Sequence, residues 1–370
     1  MKRPLHIVIV ISVAASILVS CAGLNGLLPE QTSPQSVQSP AEVTPTEDPA
    51  AQLTATPLVS GPLPAIEPEN ATLVKQVSQV AIDSPYRLHW SSDSQKIGVM
   101  TNQGLLLYDA NTLAILSNVM VQDPITMLDF SADSGLMATT ADQVNLEVRE
   151  IATGNVSMTI NDAGPFMSVK FSPDGRLLAI ARADDFRVDL WDLPTQQSIG
   201  SLTGFETAAP VYSFVFSPDA RYLVWISRGT VQPMEVSNAT LGPIFSYEDF
   251  VSTVAVSPDG RFMAVATAGT VNGTFQPIVS LGNPSSGQAL GVSLVEQQQV
   301  PQGLSFSPSS RTLAVGAGND INLLEISTRQ PLTVLRGHSA SVNDVAFSPD
   351  GRTLATTATD NTLRLWRLQP

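Results

Sequence analysis

Side chains able to do chemistry are few in this sequence. Its 370 residues hold three histidines (His6, His89 and His338) and a single cysteine, Cys21. One thiol permits neither an internal disulfide nor a four-cysteine zinc site. Nucleophilic catalysis of the serine type needs an imidazole free to move protons. No G-x-S-x-G elbow, phosphate-binding loop or H-E-x-x-H zinc helix accompanies His89 or His338. His89 lies between Leu88 and Trp90, so on a strand it faces away from both, as a surface residue or one between packed units would. Arg182, Asp184, Asp185 and Arg187 crowd residues 181–187. Opposite charges in one loop pair with each other and with water, for less than about 1 kcal/mol. No calcium loop of the D-x-D-x-D-G type occurs. The expectation is therefore no catalytic residue, no metal and no cofactor.

Cys21 supports a different chemistry, acylation. Lys2 and Arg3 precede an uncharged stretch from Ile7 to Val19, which is long enough for a signal-peptide core and too short to span a bilayer. Leu18-Val19-Ser20-Cys21 follows. This run resembles the bacterial lipobox, where cleavage precedes a cysteine that takes a diacylglyceryl group. The resemblance implies a signal peptide over 1–20 and lipid attachment at Cys21. Two or more acyl chains hold a protein stably at a membrane where one does so marginally. No Lys or Arg occurs between Pro4 and Val74, so the basic end stays inside. The rest of the chain is expected at the cell membrane, lipid-anchored, on the extracytoplasmic face.

Residues 21–70 read as a linker. From Pro29 to Asn70 there are nine prolines, six acids and no aromatic residue. Such a stretch cannot build a core and favours extended polyproline geometry, with a reach of roughly 130 Å at ~3.1 Å per residue.

The elements that must position everything else are repeats. An alternating apolar pair, a turn of Ser-Pro-Asp-Gly type, usually a basic residue, and a new apolar run recur seven times. Examples are VKFSPDGRLLA (169–179), VAVSPDGRFMA (254–264) and VAFSPDGRTLA (345–355). The last apolar residue before each turn is Trp90, Phe130, Phe171, Phe216, Val256, Phe306 or Phe347, spaced by 40, 41, 45, 40, 50 and 41 residues. Modules of this length that cannot bury their own apolar faces stack on their neighbours, and four-stranded modules of ~40–45 residues make propeller blades. The expected fold is all-β: a seven-bladed propeller of four-stranded antiparallel blades over residues 71–370. Third strands are read at 105–112, 146–154, 188–196, 321–329 and 363–370, and more weakly at 231–240 and 277–287. Arginines 176, 221, 261, 311 and 352 follow the turns and are expected at strand edges, their stems over apolar surface. The longest unit is the fifth, with its excess in 268–277 and 282–291, a first place to look for a partner contact.

The final unit, GHSASVNDVAFSPDGRTLATTATDNTLRLWR (337–367), resembles a WD-repeat almost from end to end. In that family a buried His, Ser or Thr, Asp and Trp are hydrogen-bonded together, and the matching positions here are His338, Thr356, Asp360 and Trp366. Blade three keeps Trp191-Asp192 and a turn acid, Asp185, without the Gly-His opening, and the remaining units lack most of the tetrad. The Ser-Pro-Asp-Gly turns are also a feature of TolB-like propellers. As in WD-repeat propellers, residues 72–80 are expected to complete the last blade, because an open ring would expose a long strand edge.

Net charge completes the reading. With 19 basic and 33 acidic residues the chain carries −14, and residues 71–370 hold 17 against 27, or −10. Nucleic acid is excluded as a partner, since phosphate contacts need clustered Lys and Arg. The expected function is a membrane-anchored scaffold binding protein partners not named by the sequence. The alternatives are a TolB-like envelope accessory protein or a propeller enzyme of lactonase or dehydrogenase type.

Overall fold

Alternation of apolar residues along each repeat makes strands, and both faces of the resulting sheets are covered by neighbouring sheets. The computed structural model describes residues 64–369, apart from 121–127, 141–144, 162–165, 183–186, 203–210, 228, 248–249, 272–273 and 295–298. Residues 1–63, including Cys21, lie outside the described residues.

Seven antiparallel sheets form the blades. Blade one runs through Pro85–Trp90, Lys96–Thr101, Gly104–Asp109 and Ile115–Met120, from the inner strand to the outer. Blades two to six repeat the plan. Blade seven is made of Val342–Phe347, Thr353–Ala358 and Thr362–Leu368, with Val74–Ala81 as its outer strand. That N-terminal strand pairs antiparallel with the last one, from Val74 against Leu368 to Ala81 against Thr362. The expected closure is present. Apolar side chains gather at each of the seven blade interfaces. Trp90, Ile97 and Tyr108 of blade one pack with Leu363 and Leu365 of blade seven, and Met263 and Val265 of blade five pack with Tyr222 and Val224 of blade four. The core is thus distributed around the ring.

The weakly read third strands are present at Thr230–Glu235 and Thr274–Gly282. Blade four reads poorly for a physical reason. Pro233 sits within its third strand, its carbonyl accepting the Gly242 N–H on the outer side at 2.8 Å. Proline has no N–H to return on that side. The outer strand is accordingly split into Thr240–Leu241 and Phe245–Ser246.

Each Ser-Pro-Asp-Gly turn is closed by a side-chain clasp that turn chemistry alone does not announce. The Ser172 hydroxyl donates to the Asp174 carboxylate and accepts the Leu177 N–H at 2.8 Å. The same arrangement recurs at Ser91/Asp93, Ser131/Asp133, Ser217/Asp219, Ser257/Asp259 and Ser348/Asp350, and in blade six Ser309 replaces the acid. The fourth turn position takes positive φ in all seven copies, with glycine at 175, 260 and 351 and with Ser94, Ser134, Ala220 and Ser310 elsewhere.

The packed chain begins earlier than Ala71, within the span read as linker. Ile66 is fully buried in the cluster between blades six and seven, and its N–H donates to Gly351 O at 2.8 Å. The Asn70 side chain accepts the Glu67 N–H and donates to Ala65 O, both at 2.9 Å. One apolar side chain and the Asn70 side-chain bonds to the preceding backbone override the proline-rich composition.

Candidate functional site

Blade seven holds the tetrad residues together. His338 opens the blade, Thr356 lies on its second strand, Asp360 in the turn that follows and Trp366 on its third. The Trp366 indole N–H donates to Thr356 Oγ1 at 2.9 Å. Thr356 Oγ1 lies 2.7 Å from His338 Nε2, and His338 Nδ1 lies 3.0 and 3.1 Å from the Asp360 oxygens. For a neutral imidazole one proton assignment satisfies every group: indole to hydroxyl, hydroxyl to Nε2, Nδ1–H to carboxylate. Burial lowers the His338 pKa, with Asp360 opposing, so the neutral form fits. Asp360 also accepts the Ser339 N–H at 3.0 Å and the Thr362 hydroxyl at 2.7 Å. Burial pushes its carboxyl up, but these donors and His338 outweigh it and hold the pKa below the ordinary value. Every polar atom of the network is committed, so the tetrad braces the second and third strands and offers nothing to a substrate.

In blade three, Asp192 accepts the Thr195 N–H and hydroxyl and pairs with Arg176 at 3.1 Å, while Asp184 and Asp185 lie outside the described residues. Arg182 and Arg187 also have an acid partner beyond the 181–187 loop. Both pair with Asp189 on the next strand, at 2.7 and 3.1 Å. The turn arginines behave as edge residues: Arg221 pairs with Glu235 at 3.2 Å and stacks over Tyr222, and Arg311 pairs with Glu67 and Glu69.

The axial channel collects the groups that sequence reading left scattered. The middle residues of the apolar pairs in six blades, His89, Asp129, Lys170, Val215, Ser305 and Ala346, line one hollow along the inner strands. A register shift near the start of the inner strand, between Pro85 and Arg87 in blade one and between Val342 and Asp344 in blade seven, re-aims the next side chains. Such bulges turn side chains out of strict alternation. Arg87 and Asp344 therefore meet at the channel mouth, lining a hollow of about 360 Å³ with Ser213 and Thr253. A second hollow of about 330 Å³ shares Arg87, Thr253 and Asp344 and reaches His89, Asp129 and Lys170.

Most charges there are spoken for. Lys170 Nζ donates to Asp129 at 2.8 Å, and the second Asp129 oxygen accepts the Phe171 N–H at 2.8 Å. Asp344 accepts the N–H of Leu88 at 3.0 Å, across the ring seam, and of Val345 at 2.9 Å. Burial raises the Asp344 pKa, against Arg87 and these amides. Burial lowers the Lys170 pKa, Arg87 adding to the effect and Asp129 opposing it. His89 packs edge-on against Phe130 of the next blade, ring centres 4.9 Å apart. It is thus an inter-blade residue that also lines the second hollow. Burial depresses its pKa, Asp129 opposing, and Lys170 and Arg87 depress it further. The signal for this site was in the sequence, at the middle positions of the repeated pairs, but only the ring brings them together. Among the described residues, no three of His, Cys, Asp and Glu gather as metal ligands.

The two long segments of blade five differ in kind. Val251 pairs with Thr267, and the second and third strands then run on as a two-stranded hairpin to the Val271–Thr274 pair. This hairpin rises past the rim on which the channel mouth opens. The turn at 283–287, in contrast, is tied back to blade four by a 2.8 Å bond between Ser285 Oγ and Tyr222 Oη.

Seven blades closed by the N-terminal strand form a seven-bladed β-propeller, and one blade carries a His–Thr–Trp–Asp network. Comparison with known proteins agrees: residues 154–192 and 329–367 match the WD domain, G-beta repeat family, so the chain carries WD40 repeats in blades three and seven. It is similar to an uncharacterised WD repeat-containing protein of Synechocystis, 26% identical over 151 residues, covering 38% of this chain and 40% of that one. Nuclear distribution protein PAC1 of Arthroderma otae is 44% identical over 69 residues, 18% and 15% of the two chains. The serine-threonine kinase receptor-associated protein of Gallus gallus is 23% identical over 237 residues, 64% of each. The matched part spans less than half of the first two relatives.

Proposed function

We propose that this chain is a non-enzymatic protein-binding platform, held at the extracytoplasmic face of a bacterial membrane by lipid on Cys21 and set off from it by the residues between Cys21 and the packed chain that begins near Ile66. The observation that carries the reading is the WD-repeat ring with the blade-five hairpin raised beside its channel mouth. Rigid scaffolds present their variable loops to partners. Relatives named as a receptor-associated protein and as a subunit of the anaphase-promoting complex are, by name, members of assemblies. The envelope part of the proposal rests on the lipobox-like run at Leu18–Cys21.

Cross-linking in intact cells followed by mass spectrometry tests the platform. The expected result is a recurrent partner cross-linked near residues 268–277. Cross-links spread evenly over the surface, together with turnover on a substrate, overturn the platform and favour a propeller enzyme. Labelling with radioactive palmitate tests the anchor: label on the wild type that is lost in Cys21→Ala is expected, and an unlabelled wild type removes it. A TolB-like role shares the fold and the address and differs in the partner recovered.

A further inference from the structure

We propose that the channel mouth is a binding site for a small carboxylate anion, seated on the Arg87 guanidinium. Arg87 is exposed to the hollow, and among the described residues it makes no hydrogen bond or ion pair. A guanidinium is a planar fork of donors that matches a carboxylate in shape and charge. Neither nearby acid forms an ion pair with it, although Asp344 and Arg87 act on each other through space. Asp129 already holds Lys170 and the Phe171 N–H, and Asp344 already holds the N–H groups of Leu88 and Val345. Each acid bonds the inner strand of one blade to the next, so swinging away would break an inter-blade hydrogen bond.

The volume suits a small ligand. Two joined hollows of about 360 and 330 Å³ lie in the range of small-molecule sites. The hydroxyls of Ser213 and Thr253 on the facing side of the first hollow offer donors to the remainder of such a molecule. The overall charge of −14 does not exclude an anion, because exposed charges beyond about 8 Å are screened at physiological ionic strength while the guanidinium is in contact. This site is independent of the protein partner proposed above.

Succinate is the probe and the His89 imidazole the reporter. His89 is faced by Arg87 on its own strand, Asp129 from blade two, Lys170 from blade three and Asp344 from blade seven. An anion on Arg87 adds negative charge beside His89 and raises its pKa. The full chain is titrated with succinate at constant ionic strength, and its three histidines are followed by NMR. Expected are saturable binding, an upward shift at His89 and none at His338. Arg87→Gln should weaken binding at least ten-fold, Arg87→Lys should weaken it less because the charge remains, and Arg352→Gln on the opposite, turn-bearing rim should leave it unchanged. Thermal melting establishes that each variant is folded. Failure to saturate by tens of millimolar succinate, binding by Arg87→Gln equal to wild type, or an equal loss in Arg352→Gln would each overturn the proposal.

Discussion

Thr356 is the hinge of the blade-seven network, since its one hydroxyl accepts from Trp366 and donates to His338. Thr356→Val keeps the shape and strands both partners in a buried site, so urea unfolding should show a loss of about 1–3 kcal/mol. An unchanged unfolding midpoint would mean that the network is decorative. The same residues give stability a pH dependence. Both His338 and His89 have folded pKa values below their ordinary one, so the fold prefers the neutral ring. That preference is fully expressed above about pH 6.5, the unfolded value, and is lost as the pH falls below it and the unfolded chain takes up protons. Asp360, held low, adds a loss of the same sign at lower pH. Melting temperature should therefore fall from pH 7 to pH 5, with Asp344, held high by burial, opposing the trend, and His338→Gln and His89→Gln should each flatten part of that slope. A flat wild-type profile over this interval would contradict the lowered pKa of both rings.

Turns and strands were the most legible elements, because Ser-Pro-Asp-Gly and the apolar pairs act locally. Less legible was what those elements do for one another. The Ser–Asp clasp holds the turn whether or not glycine follows, which explains how Ala220 keeps φ at +56°. A Cβ in that region costs about 1–2 kcal/mol, and glycine returns part of it through greater freedom when unfolded. Ala220→Gly is accordingly expected to stabilise the domain by about 0.5–1 kcal/mol, read as a higher urea midpoint with an unchanged slope. A lower midpoint would show that Ala220 packs against something it is not seen to touch. The tetrad positions could be read from one unit because the WD-repeat pattern there is nearly complete. The channel site could not, because it is assembled from single middle residues of several blades and from bulges that shift the next side chain, and no one repeat contains it. Asp189 as a partner of Arg182 and Arg187 was hidden for a similar reason: it sits on the following strand, outside the loop whose charges the sequence groups together.

At the scale of the whole ring, one seam joins the two ends of the chain, and it has two layers. The strand Val74–Ala81 pairs with Thr362–Leu368, and residues ahead of it add the buried Ile66 and the contacts of Glu67 and Glu69 with Arg311. These layers should fail differently. A chain beginning at Ile82 leaves the last strand with an unpaired edge, the template for association with another copy. It should elute as oligomers in size exclusion with light scattering. A chain beginning at Ala71 keeps the closing strand and loses one fully buried isoleucine with its main-chain bond to Gly351. It should stay monomeric and lose about 2–5 kcal/mol, the cost of emptying a large apolar site. If the Ala71 form unfolds at the same urea concentration as one beginning at Pro64, the segment ahead of the strand contributes nothing to closure. If the Ile82 form remains a monomer of undiminished stability, the seven blades hold their circle by apolar packing alone, and strand exchange at the seam is not what closes it.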